Sequence, residues 1–126
     1  MKIALLEDNP INSEYIQTIL RMEGHQVFPH RIGDSLLNAL QTADYSFPYD
    51  IALIDLLLPG TLSGLDVMHR IQQDYPAQHL PCIVLSAASQ KELNRVQADF
   101  PQTPIIGKPF KRQQLIEAIN MLVATP

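Results

Sequence analysis

Residues 49–60 read "YDIALIDLLLPG", and the fold turns on this stretch. Four apolar residues, Ile51 to Ile54, run straight into Asp55, and Leu56, Leu57 and Leu58 follow. A carboxylate in such company is costly to bury unless something pairs with it. The difficulty eases if Ile51–Ile54 is a strand and Asp55 is its last residue. The carboxylate is then delivered to the rim of a sheet instead of being buried within it.

Working outward, the same alternation recurs. "KIALLE" reads as a first buried strand. "NPINSEYIQTILRMEG" reads as a helix, with Asn9 as N-cap, Pro10 in the first turn and Gly24 at the stop. Its apolar positions Ile11, Tyr15, Ile19 and Met22 recur every three to four residues and predict the buried face. "HQVFP" is a second strand, and Asp34 caps a helix bearing Leu36, Leu37 and Leu40. "DIALID" is the third strand, and Ser63 caps a helix carrying Leu65, Met68, Ile71 and Tyr75. "PCIVLS" is the fourth strand, and "SQKE" from Ser89 to Glu92 is a capping-box pattern that opens the fourth helix. "TPIIG" is the fifth strand. The last helix carries Leu115, Ile116, Ile119, Leu122 and Val123 on one face.

This is βα repeated five times. Strands that are apolar on both faces and separated by helices imply a parallel sheet covered on both sides, an α/β doubly wound fold. Ligands in such sheets bind beyond the carboxyl ends of the strands. There the sequence places Glu7 and Asp8 after the first strand, Asp55 at the third, Ser86 at the fourth and Lys108 after the fifth. Three carboxylates, a hydroxyl and an ammonium therefore meet at one edge. Oxygen donors suit a hard cation, and Mg²⁺ is the usual one where a phosphoryl group also arrives.

Composition narrows the choices further. The chain has 126 residues, enough for one domain with a proper core, and 46% of them are hydrophobic. A formal charge of -4 argues against direct nucleic-acid binding, and no apolar run approaches membrane-spanning length. The N-terminal "MKIALLEDNP" reads as a strand, not a signal peptide. The single Cys82 forms no internal disulfide and reads as a buried, inert strand residue, which fits a cytoplasmic location. His25, His30, His69 and His79 lack ligand spacing and read as surface or partly packed residues. Lys111 and Arg112 read as a solvated helix start.

The motifs "LLEDN", "ALIDLLLPG" followed by "SGLDV", "IVLSAAS" and "GKPF" stand in order at these strand ends. With them the chain resembles a response-regulator receiver domain, the phosphoacceptor module of two-component signalling, over essentially all 126 residues. The resemblance implies a flavodoxin-like (βα)5 fold with strand order 2-1-3-4-5 and a single receiver domain over residues 1–126, with no output domain. It implies that Asp55 accepts a phosphoryl group from a histidine kinase or histidine phosphotransfer protein. Asp8 and Asp55 would then coordinate Mg²⁺ together with the Leu57 carbonyl, and Glu7 would hold the ion through water. Ser86 and the Ala87 N–H would bind the phosphoryl oxygens, Lys108 would pair with them, and the Lys108–Pro109 bond would be cis. Such a module is no enzyme beyond catalysing its own phosphorylation and dephosphorylation. Leu57 and Ala88 would flank the path of a hydrolytic water.

Three departures from the family accompany the match. Pro59 to Gly64 spans five residue steps where the family usually has four. Ile105 stands where a switch aromatic usually lies, which shifts the expected signalling motion to the loop after Ser86 and the fourth helix. No acidic residue lies between Phe100 and Lys108, where the winged-helix branch carries its dimer salt bridges. One rival reading is a pseudo-receiver that binds proteins without phosphorylation, and intact Asp8, Asp55, Ser86 and Lys108 weigh against it. Another is an aspartate-nucleophile phosphatase, which needs a second Asp where this chain has Leu57.

Overall fold

The computed structural model describes residues 1–42, 48–58, 62–75, 80–87 and 89–124. Pro59, Gly60 and Thr61 of the lengthened loop, His79 and Ala88 lie outside the described residues, as does the side chain of Val123. Strands and helices alternate as β1 (Lys2–Leu6), α1 (Pro10–Met22), β2 (Gln26–His30), α2 (Gly33–Gln41), β3 (Ile51–Asp55), α3 (Gly64–Asp74), β4 (Cys82–Ser86), α4 (Gln90–Asp99), β5 (Ile105–Gly107) and α5 (Arg112–Ala124). The strands form one parallel sheet in the order β2-β1-β3-β4-β5.

Two cores follow from the period-two alternation of the strands. Ile3, Leu5, Leu53, Ile83 and Leu85 face α1 and α5, where Ile16, Ile19, Leu20, Leu115 and Ile119 meet them. Ala4, Leu6, Ile54 and Val84 face α2, α3 and α4, against Leu36, Leu40, Val67, Met68, Ile71 and Val96. Each such Ile or Leu contributes about 1.5–3 kcal/mol when fully buried. Because both faces are covered, residues with polar work to do are left to the ends of the strands.

The helix starts are local chemistry. Asn9 Oδ1 accepts the N–H groups of Ile11 and Asn12. Ser63 and Asp66 form a reciprocal capping box, and Ser89 Oγ accepts the Glu92 N–H. α1 ends at Met22 with Glu23 as C-cap, and the next residue, Gly24, takes a φ of +86° that is open to glycine at no steric cost.

Several expectations need correction. α1 is rotated from the predicted face: Ser13, Ile16, Ile19 and Leu20 are buried, whereas Ile11 is 78% exposed and Tyr15 and Met22 are also exposed. The N-cap of α2 is Ile32, which offers no side-chain cap, and Asp34 sits in the first turn. Cys82 is only partly buried as a residue. Its thiol donates to the Leu80 carbonyl, and burial pushes the thiol up to about 12.

Candidate functional site

Strand register brings the polar residues to one level. Leu6 pairs with Ile54, so Glu7 comes level with Asp55 one step on. Asp55 pairs with Leu85, and Ser86 with Gly107, so Lys108 leaves β5 just past the end of β4. The Lys108 N–H donates to the Ser86 carbonyl at 2.9 Å, which fixes the start of the lysine's reach. The Lys108–Pro109 peptide is cis.

From there the Lys108 ammonium donates to Glu7 Oε1 at 2.5 Å and to Asp55 Oδ2 at 3.0 Å. Glu7 is 2% exposed and Asp55 5% exposed, so both carboxylates are buried at the strand ends. This corrects the expectation that Asp55 stands out at the rim. The cost of burying it is offset by the ammonium and by the Leu57 N–H, which donates to Asp55 Oδ1 at 3.0 Å. Glu7 Oε2 accepts the Asn9 N–H at 3.3 Å. Burial alone would pull the Lys108 ammonium down. The hydrogen bonds to Glu7 and Asp55, with the charges of both carboxylates, more than offset this and hold it above its ordinary value.

Asp8 completes the group and is the most accessible of the three acids. Oxygens of Glu7, Asp8 and Asp55 lie within 4.8 Å of one another. With all four groups ionised, three carboxylates and one ammonium leave a formal charge of -2, which a divalent cation would cancel. An all-oxygen donor set with this charge fits Mg²⁺. Of the remaining residues singled out in the sequence, Ser86 is buried at the end of β4, Ala87 is exposed just after it, and Leu57 is 47% exposed beside Asp55.

Gly64 entered the sequence reading only as the end of a lengthened loop, and its contact with the Asp55 backbone was not foreseen. A Cβ on Gly64 would lie 2.2 Å from the Asp55 carbonyl oxygen and 2.8 Å from Leu56 Cα. The Gly64 N–H also donates to the Leu56 carbonyl at 3.3 Å, so α3 begins in direct backbone contact with the segment that carries Asp55. The glycine next to the N-cap Ser63 was the available signal. Ile105, at the switch position, is partly buried against the core on the α4 side.

A doubly wound parallel sheet with an acidic cluster and a lysine at its carboxyl edge defines the class as a receiver-type module. The sequence matches the response regulator receiver domain family over residues 3–120, and the chain belongs to that family. It is thus a receiver domain of two-component signalling, with a flavodoxin-like fold. The solved receiver domain of sensor histidine kinase PA1611 from Pseudomonas aeruginosa PAO1 superposes with a TM-score of 0.83 at 26% identity, covering 98% of each chain. That structure holds a magnesium ion in its active site cleft. The chemotaxis protein CheY4 of Vibrio cholerae superposes at 0.80 with 18% identity, over 95% of this chain and 96% of that one. In sequence, the chain is 28% identical to part of the sensor histidine kinase GacS of Pseudomonas protegens, covering 94% of this chain and 13% of that protein. It is 26% identical to the cell cycle transcriptional regulator CtrA of Caulobacter vibrioides, over 98% of this chain and 50% of that protein. The chain thus spans half or less of those two curated relatives. Among the described residues no helix is long and apolar enough to cross a membrane.

Proposed function

We propose that residues 1–126 form one receiver domain that accepts a phosphoryl group on Asp55, in the cytoplasm, from a sensor histidine kinase or a histidine phosphotransfer protein. The observation that carries this reading is the convergence of Glu7, Asp8 and Asp55 with the Lys108 ammonium bonded to two of them. In the transfer, an Asp55 carboxylate oxygen attacks phosphorus, the P–N bond of the donor phosphohistidine breaks, and the imidazole leaves with the electron pair. Such a step needs in-line positioning and charge neutralisation more than a base. Asp8, Asp55 and the Leu57 carbonyl would hold Mg²⁺, with Glu7 acting through water. The chemistry that bound Mg²⁺ supplies is neutralisation of the phosphoryl oxygens. Lys108 is already aimed at Asp55 and turns to the new phosphoryl oxygens, joined by the Ser86 hydroxyl and the Ala87 N–H.

A donor protein must cover the rim to deliver its phosphohistidine. Exposed Ile11 and Tyr15 on α1, with Phe110 6.2 Å from the Tyr15 ring, give it apolar surface beside the site. The state is read out by the loop after Ser86 and by α4, which buries only Val96 and is the least anchored of the first four helices.

The test is to incubate the chain with Mg²⁺ and a small phosphodonor and to weigh it intact. One added phosphoryl group is expected, absent in Asp55→Asn and after chelation of the metal. Labelling that survives in Asp55→Asn, or a parent that is never labelled, overturns the reading.

A further inference from the structure

His30 closes β2, the edge strand, and its carbonyl accepts the Glu7 N–H at 3.0 Å. That bond sets the backbone at the point where β1 delivers Glu7 and Asp8. The imidazole is held from two sides. Its Nδ1 lies 2.7 Å from Ser35 Oγ in the first turn of α2, and its Nε2 lies 2.9 Å from the Tyr49 hydroxyl. Tyr49 is buried, with its ring 5.4 Å from Phe28 and edge-on to the imidazole at 5.9 Å.

We propose that His30 is a positioning residue for the metal-binding carboxylates, acting through this tie to Tyr49 and Ser35. The inference rests on the receiver reading of the site. A neutral imidazole offers one donor and one acceptor, and a hydroxyl can be either, so Ser35 and Tyr49 satisfy the ring in both tautomers and fix its plane. An edge strand has a ladder on one side only, and its end opens readily. Pro29, lacking an N–H, gives the outer side no donor. The side-chain tie supplies the restraint that a second neighbouring strand would give. Mg²⁺ demands near-ideal octahedral geometry, so a small displacement of the Glu7–Asp8 backbone costs affinity.

The experiment measures Mg²⁺ affinity by calorimetry on the full chain, at a temperature where unfolding curves show each variant folded. It follows the Glu7 amide resonance in the metal-free protein alongside. Tyr49→Phe and His30→Leu should weaken Mg²⁺ binding by roughly three- to tenfold, somewhat less than loss of a direct partner of a metal ligand, and should move the Glu7 amide. His30→Gln, which keeps a donor and an acceptor at the end of its side chain, should stay within about twofold of the parent. Ser35→Ala, at an exposed position, repeats the test should Tyr49→Phe not fold. Parental affinity and an unmoved Glu7 amide in Tyr49→Phe or Ser35→Ala overturn the proposal, and so does a His30→Gln as weak as His30→Leu. A parent that binds no Mg²⁺ overturns the metal reading itself, whereas the Glu7 amide still reports on the tie.

Discussion

The Lys108 ammonium meets the Glu7 carboxylate at 2.5 Å across 101 residues of sequence, and that contact holds the closed end of β1 to the exit of β5. Glu7 is the more deeply buried of the two carboxylates that share this cation, so Lys108 is a structural counterion, apart from the phosphoryl-binding role proposed for it.

Lys108→Met should therefore destabilise the protein by about 3 kcal/mol at neutral pH, since breaking a buried pair leaves its charge uncompensated. At the proposed metal site Mg²⁺ would neutralise the same carboxylates, so millimolar Mg²⁺ should raise the unfolding midpoint more in the variant than in the parent. The folded ammonium sits above its ordinary value of 10.5. The parent's extra stability is then fully present below pH 10.5 and is lost as pH rises through the folded value. Thermal unfolding with and without Mg²⁺ checks the first point, and an alkaline titration of both proteins checks the second. Equal Mg²⁺ responses would refute the shared-counterion account.

Gly64→Ala should damage the site more than Gly33→Ala. The new methyl at Gly64 would meet the Asp55 carbonyl oxygen at 2.2 Å, and backbone can yield only by moving the segment that carries Asp55. At Gly33 the obstacle is the buried Val67 side chain at 2.5 Å, so the strain falls on the packing of α2 against α3 and not on the Asp55 backbone. Overpacking of this kind costs about 1–3 kcal/mol. Denaturant unfolding should place Gly64→Ala toward the upper end, with a slower phosphorylation rate, and Gly33→Ala should phosphorylate near the parental rate.

Acid should weaken the fold through its histidines. Burial holds the His30 imidazole below its ordinary 6.5, and burial together with the Met1 amine does the same to His25 against the opposing pull of Glu23. Below pH 6.5 the unfolded chain takes up protons that the folded chain resists, so stability falls with pH from that value. His30→Gln should show a shallower decline across this window in urea titrations. A slope identical to the parent's would remove His30 from the explanation.

Phosphorylated Asp55 should hydrolyse slowly. Leu57 follows it by two residues, is held close by its own N–H on Asp55 Oδ1, and presents an aliphatic side chain that cannot orient a water. Misplacing an attacking group by about an ångström can cost on the order of a hundredfold in rate. Leu57→Asn and Leu57→Glu should shorten the lifetime of the phosphorylated protein, followed by intact mass over time. Decay no faster than the parent's would end the water-exclusion argument.

Much of this was legible along the chain because it is local. The runs Ile3–Leu6, Ile51–Ile54 and Ile83–Leu85 are apolar at every position, which only a strand covered on both faces requires, and the first polar residue after each marks the carboxyl edge. Asn9, Ser63 and Ser89 cap their helices through atoms two or three residues away, so the sequence by itself determined them. The placement of Glu7, Asp55 and Ser86 at the carboxyl edge followed from the same rule.

The rotation of α1 did not follow, because its apolar residues spread round too much of the helix. Ile11, Tyr15, Ile19 and Met22 satisfy a helical period as well as Ile16, Ile19 and Leu20 do, and only docking on β1 selected the second set. The burial of Asp55, the choice of Glu7 as a second partner for Lys108, and the bond from His30 to Tyr49 were likewise decided by tertiary structure. Each depends on groups from segments far apart in the chain, and periodicity within one segment carries no information about the distance between two segments. That distance is set by the register of the sheet and the packing of its two faces.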